Sequence, residues 1–180
     1  MKLTFKQVFC LSAYYGFAQF LPNSYCSLFC LGKISNWLRI LLCKGIFKKC
    51  GNVRTINRRI YFSTGESIEI GDNSGIGANC DIPKDTIIGK NVMLSRQSFI
   101  LSRNHRFDRI DIPINDQGFY DSKQTIIDDD CWIGLRTIIT PGRHISKGTI
   151  VGMGSVLTKD FPEYSIVGGA PAKLIRSRKA

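Results

Sequence analysis

From Ile70 onward the apolar positions recur every six residues, in the units IGDNSG, IGANCD, IPKDTI, IGKNVM, LSRQSF and ILSRNH. Ile70, Ile76, Ile82, Ile88, Leu94 and Ile100 lead these units, and Ser74, Cys80, Thr86, Val92 and Ser98 fill the fifth place with small or β-branched side chains. The phase returns in IDDDCW, IGLRTI, ITPGRH, ISKGTI, VGMGSV and LTKDFP, led by Ile127, Ile133, Ile139, Ile145, Val151 and Leu157. An α-helix repeats its apolar face at three and four residues, so a strict six excludes one. One aliphatic and one small residue per unit, with Gly, Asn and Asp between them, predicts a mainly β chain coiled as a parallel β-helix. Its short strands each turn one side chain into a continuous ladder.

The two blocks do not join in phase. Ile100 and Ile127 are 27 residues apart, not a multiple of six, so residues 101–124 are expected to leave the wall as a protruding loop. A long excursion from a strict repeat is expected to carry function. Upstream, Ile56, Phe62 and Ile68 keep the spacing but fall out of phase with Ile70, which predicts an irregular first coil. Before it, apolar spacing suggests helices over about Phe5 to Phe20 and Ser24 to Phe47, broken near Gly32. The chain then divides into a basic helical segment (1–55), a β-helix with its loop (56–165) and a C-terminal segment (166–180).

Charge sharpens this division. Residues 1–65 hold ten Lys/Arg and no Asp/Glu, whereas the remainder holds fifteen basic and fourteen acidic residues. Clustered cations attract anionic lipid, nucleic acid or acidic glycan. In NWLRILLCKGIFKKCG, the residues Trp37, Leu38, Leu41, Leu42, Ile46 and Phe47 offer apolar surface beside Arg39, Lys44, Lys48 and Lys49. Two readings stand: peripheral contact with a membrane surface, or a helix covering the end of the core. Nucleic acid is not expected, since no signature organises the charge. The run from Val8 to Leu21 is too short to span a bilayer. Lys2 and Lys6 precede it as in a secretory signal, but no cleavage site follows. The expected location is cytoplasmic, with a possible peripheral place at the inner membrane face. Seven cysteines without paired C-x-x-C spacing argue for reduced thiols rather than a disulfide frame or zinc site.

Two histidines are present, His105 and His144. His105 ends the sixth unit where the loop begins; His144 lies inside a regular unit. Neutral imidazole, with an ordinary pKa of about 6.5, can serve as a general base, and a loop histidine can equally be a solvated surface residue. Asp108 or Asp111 could orient it, as could a backbone carbonyl.

These blocks, the loop histidine, and the stretches CWIGLRTIITPG, GMGSVLTKDFP and IVGGAPAKLIRSR resemble the hexapeptide-repeat acyltransferases. The loop NHRFDRIDIPINDQG is most similar to sugar and polysaccharide O-acetyltransferases of the galactoside and maltose type. The resemblance implies a left-handed coil, although general crossover rules favour right-handed connections. It also implies a homotrimer with acetyl-CoA between adjacent β-helices, a carbohydrate acceptor, no metal, and His105 as general base. Carried over residue by residue, it places Asn79 and Asp108 toward the acceptor. Trp132, Gly134, Gly152, Thr158, Lys159, Lys173 and Arg176 fall toward the cosubstrate. Asn79 could equally serve as a corner residue with left-handed torsions. Leu135, Met153 and Arg143 depart from the family's small residues. The implied activity is acetyl transfer to a sugar hydroxyl. The alternatives are a serine or antibiotic acceptor, or a membrane-associated scaffold without catalysis.

Overall fold

The computed structural model describes residues 3–179; Met1, Lys2 and Ala180 lie outside the described residues, so the charge call on Lys2 does too. The parallel β-helix is present. Each coil passes through three walls of two-residue strands. The first wall stacks Lys49–Cys50, Glu69–Ile70, Ile87–Ile88, Ile126–Ile127 and His144–Ile145 in parallel. The second stacks Thr55–Ile56, Gly75–Ile76, Met93–Leu94, Trp132–Ile133, Ile150–Val151 and Ser165–Gly169, then Ala172–Ser177 folds back antiparallel at its end. The third stacks Phe99–Ile100, Ile138–Ile139 and Val156–Leu157, with Tyr61 and Asp81 continuing it as isolated bridges.

The second residue of each two-residue strand points inward, joined at the end of the second wall by Val167. Ile70, Ile88, Ile127 and Ile145 form one buried column, Ile56, Ile76, Leu94, Ile133, Val151 and Val167 another, and Phe62, Ile82, Ile100, Ile139 and Leu157 the third. Burying this much apolar surface supplies the main driving force for the coil. Most fifth-place residues are buried as well, and several of their hydroxyls bond to backbone carbonyls of the coil. Ser74 donates to the Gly89 carbonyl at 2.6 Å, Thr137 to Gly134 at 2.8 Å and Ser155 to Gly152 at 2.7 Å. The corners explain the Asn and Gly pattern. Asn73, Asn79, Asn91, Gln97, Asp130 and Arg136 have φ between 57 and 59°, and Gly142, Gly148 and Gly154 take the same place in later units. Asparagine and glycine tolerate that left-handed conformation best.

The first coil is irregular, as its phase suggested. Ile56 pairs with Ile76 and Cys50 with Ile70, so this turn uses twenty residues where Ile70 to Ile88 uses eighteen. Both Ile68 and Ile70 are buried, absorbing the two extra positions.

Two helices cap that coil. α1 spans Phe5–Gly16, opened by a capping box between Thr4 and Gln7, and a 3-10 turn follows at Ala18–Phe20. α2 spans Leu31–Ile46. The expected start at Ser24 is too early. Phe29 and Cys30 take left-handed torsions and stop any helix there, so Cys26 and Cys30 do not share a helical face. Gly32 lies inside the first turn, where a Cβ would fall 2.5 Å from the Cys26 carbonyl oxygen. The helices run antiparallel: Gln7 donates to the Ile46 carbonyl at one end, and Arg39 donates to Ala18 and Leu21 at the other.

Arg39 overturns part of the surface reading of α2. Its side chain is fully buried and donates to the carbonyls of Ile56 (2.8 Å), Ala18 (3.2 Å) and Pro22 (3.1 Å) and to Ser24 Oγ (3.1 Å). It is a structural tie, not a surface charge. Leu42, Ile46 and Phe47 are buried with it, whereas Trp37 and Leu41 remain outside.

Candidate active site

The loop leaves after Ile100 and returns before Ile126, while the strands on either side keep their register: Ile100 pairs with Ile139, and Ile88 with Ile127. Its neck is an antiparallel ribbon. Lys123 N–H donates to the Ser102 carbonyl at 2.9 Å, Tyr120 to Asn104 at 3.0 Å and Arg106 to Gly118 at 3.0 Å, and His105 pairs with Phe119. The histidine therefore sits on regular backbone inside an irregular excursion.

Its ring lies on Phe119, with centroids 4.1 Å apart and planes tilted by 37°, and the Arg103 guanidinium lies 4.0 Å from the centre of the same phenyl ring. The imidazole is exposed, and among the described residues no hydrogen bond occupies its nitrogens. Neither candidate orienter touches it. Asp108 accepts the hydroxyl of Tyr120, a bond that raises the phenol's pKa, and Asp111 pairs with Arg109, which holds its carboxyl below the usual range. His144 instead contacts Asp128 at 2.9 Å on the first wall.

The other sequence-predicted residues fall on the coil. Asn79 occupies a left-handed corner, φ 58°, following the second wall. Trp132 projects from the second wall, half exposed. Gly134 and Gly152 follow that wall. At Gly134 a Cβ would meet Met153 N and Val151 O at 2.6 Å, so its missing side chain accommodates the next coil of the same chain. Lys173 and Arg176 lie exposed on the antiparallel strand that ends the second wall. Thr158 and Lys159 leave the third wall at the corner from which the loop also springs. Arg143 ties that corner, donating to the Thr158 carbonyl at 3.1 Å and pairing with Asp160 at 3.5 Å.

These positions form two groups. His105, Asp108, Thr158 and Lys159 belong to the corner between the third and first walls. Asn79, Trp132, Gly134, Gly152, Lys173 and Arg176 belong to the second wall and its edge, the side of the triangle opposite that corner. One chain does not bring them together.

The second wall also carries a cavity of about 720 Å³, lined among others by Trp132, Leu135, Arg54, Arg96, Asn73 and Asn91. Of the sequence-predicted site residues only Trp132 reaches it. The arginines and asparagines flanking it were legible only through register, since Thr55, Gly75, Met93 and Trp132 stack one above another.

A protein family, the hexapeptide repeat of succinyl-transferase, matches residues 67–95 and 124–159, in the two blocks on either side of the loop. The galactoside O-acetyltransferase of Escherichia coli is 30% identical over 137 residues, which are 75% of this chain and 66% of the relative. The chain belongs to the hexapeptide-repeat acyltransferases. A probable acetyltransferase of Mycobacterium tuberculosis is 34% identical over 115 residues, 64% of this chain and 37% of the relative. The chain thus spans between about a third and two thirds of these curated relatives. A solved galactoside acetyltransferase in complex with coenzyme A superposes with a TM-score of 0.75 at 25% identity, covering 96% of this chain and 80% of the other.

Proposed function

We propose that the protein transfers an acetyl group from acetyl-CoA to a hydroxyl of a sugar or surface-polysaccharide precursor, with His105 as general base. The observation that carries this reading is the loop: among the described residues the regular coil opens at one place, and the opening holds an exposed imidazole with no hydrogen bond to them, on a braced ribbon. The likeness to a galactoside O-acetyltransferase and to a solved coenzyme A complex supports the donor and the acceptor class.

In this reading the acceptor oxygen attacks the thioester carbonyl carbon while the imidazole takes the hydroxyl proton. The tetrahedral oxyanion collapses, the carbon–sulfur bond breaks, and the CoA thiolate leaves with the proton returned by the imidazolium. A hydroxyl is a poor nucleophile until that proton is removed, so the base is worth about two to four orders of magnitude in rate. Phe119 backs the ring on one face, and Arg103 braces that phenyl group in turn. Lys159, Lys173 and Arg176 supply cations for the phosphates of the donor.

The separation of the two residue groups supports a homotrimer in which the loop of one copy closes over the second wall of the next. The test combines product mass spectrometry on a panel of glycosides, nucleotide sugars, serine and chloramphenicol with a His105→Ala variant. The expected result is acetylation of a carbohydrate by the wild type, and a loss of about 100-fold or more in kcat in the variant with donor affinity kept. Full turnover in the variant, or acetylation of serine or chloramphenicol alone, overturns the assignment.

A further inference from the structure

Both capping helices have two faces, and only one is used internally. α1 turns Cys10 and Tyr14 inward, and α2 turns Arg39, Leu42, Cys43 and Ile46 inward. The opposite faces carry large apolar side chains with no cover: Phe5 and Phe9 on α1, at 89 and 64% exposure, and Ile34, Trp37 and Leu41 on α2, at 57, 62 and 50%. The spacings 5, 9 and 34, 37, 41 align each set along one helical face. These faces lie on the sides of the helices not packed on the first coil, and Trp37 at their margin also borders a hollow with Val53, Arg54 and Thr55 of that coil. Phe29, 85% exposed, extends the surface at the turn before α2.

We propose that this outward face docks on an anionic lipid bilayer. Exposed apolar patches of this kind mark contact surfaces. The occupant is indicated by charge: residues 1–65 contain ten Lys/Arg and no carboxylate side chain. Lys33 and Lys44 flank the apolar stripe of α2, and Lys6 lies on α1. Two copies meeting cap to cap would oppose like charges with no acid on either side. A bilayer with anionic headgroups takes the apolar side chains at its interface and the lysines at its surface. Nucleic acid would answer the charge and stack on aromatic rings, but it offers no apolar interior to Ile34 and Leu41, which share the stripe with Trp37. Among the described residues no helix is long and apolar enough to cross a membrane, so the cap lies in the plane of the interface. The docking set is not the one the sequence suggested. Arg39, Leu42, Ile46 and Phe47 leave it, and Phe5, Phe9 and Ile34 enter it. This proposal does not rest on the acetyl-transfer reading.

The test is flotation of the full chain with vesicles of phosphatidylglycerol and phosphatidylcholine in equal parts, against phosphatidylcholine alone, at low and at molar salt. Recovery with the anionic vesicles is expected to exceed that with neutral ones by about tenfold and to fall at high salt. The double variant Phe9→Ser, Trp37→Ser should lose flotation while keeping its thermal midpoint, because neither side chain packs in the core. Anionic vesicles should shift Trp37 fluorescence to the blue, and Trp37→Phe should remove the shift. Equal flotation of wild type and double variant, or none by either, overturns the proposal. So does a wild-type oligomer that the double variant breaks in sedimentation without any vesicle binding, which would give the face to a second copy.

Discussion

Removing residues 103–123 separates scaffold from chemistry. The excision leaves Leu101, Ser102, Gln124, Thr125 and Ile126 between Ile100 and Ile127, which restores a spacing of six and returns Thr125 to the buried fifth place it already occupies. Gln124→Gly completes the design, since the equivalent corner of a later coil is Gly142 at φ 72°. The coil from Ile88 to Ile127 shrinks from 39 to 18 residues. Its closure then costs about 0.7 kcal/mol less. No residue of the excised segment is buried, so no core contact is lost. A net change within about 1 kcal/mol moves the thermal midpoint of a domain this size by roughly 2–4 °C. Circular dichroism should therefore show an unchanged, cooperative transition, while acetyl release from acetyl-CoA to the preferred acceptor falls to the level of His105→Ala. A midpoint lowered by more than about 10 °C, corresponding to several kcal/mol, would mean that the loop braces the coil. Retained turnover would mean that the chemistry lies elsewhere.

Further outcomes follow from single contacts. Arg39→Ala removes charge-assisted bonds worth about 1.5–3 kcal/mol each and leaves buried carbonyls unpaired, so urea unfolding should report a loss of roughly 3–5 kcal/mol; a loss below about 1 would refute its role as a tie. Gly134→Ala should lower the thermal midpoint even without donor, because its Cβ would strike backbone atoms of the next coil at 2.6 Å. An unchanged midpoint with weakened donor binding would restore a purely ligand-facing role. Burial pushes Tyr15 from 10.0 up to about 12, and burial raises Tyr14 as well. The neutral form of Tyr15 favours the fold fully below pH 10, and its contribution is lost as pH rises from 10.0 toward 12. Urea midpoints should fall across that window, less steeply in Tyr15→Phe, and a flat profile in the wild type would refute the burial argument. Burial also pushes the thiols of Cys80 and Cys131 up to about 11 and that of Cys43 higher than usual. Iodoacetamide should label exposed Cys30 in the native protein and reach those three only after unfolding.

The ladder was readable because its signal does not depend on strand length. Two-residue strands give no alternation to detect, but each sends one aliphatic residue inward, and the interval between such residues is fixed by the coil. The same logic exposed the interruption at Ile100, and with it His105. Arg39 was misplaced for an instructive reason. α2 is apolar on both faces, so composition could not tell which face meets the core. Spacing could have done so, because Arg39 lies three, four and seven residues before Leu42, Cys43 and Ile46, all buried. A charge in that register has to find acceptors within the fold, and the first coil and the linker before α2 supply backbone carbonyls.

Why the site residues divide between opposite sides of the triangle follows from the coil itself. In the regular coils each wall returns every eighteen residues, so there positions differing by eighteen stack, and those offset by six or twelve are carried to other walls. Trp132 and Ile150 stack in this way. Thr158 and Lys159 are offset from Gly152 by one unit and so turn the corner away from it. No local change in sequence can bring the two groups onto one face without breaking the aliphatic columns. In the proposed reading, a ligand that needs both lies between one chain's second wall and the loop-bearing corner of another. Mixed subunits should then complement: an assembly of His105→Ala chains and chains inactivated on the second wall, for example by Trp132→Ala, should recover part of the wild-type activity that neither homomer has. No recovery after verified subunit exchange would place the whole site within one chain and refute the division.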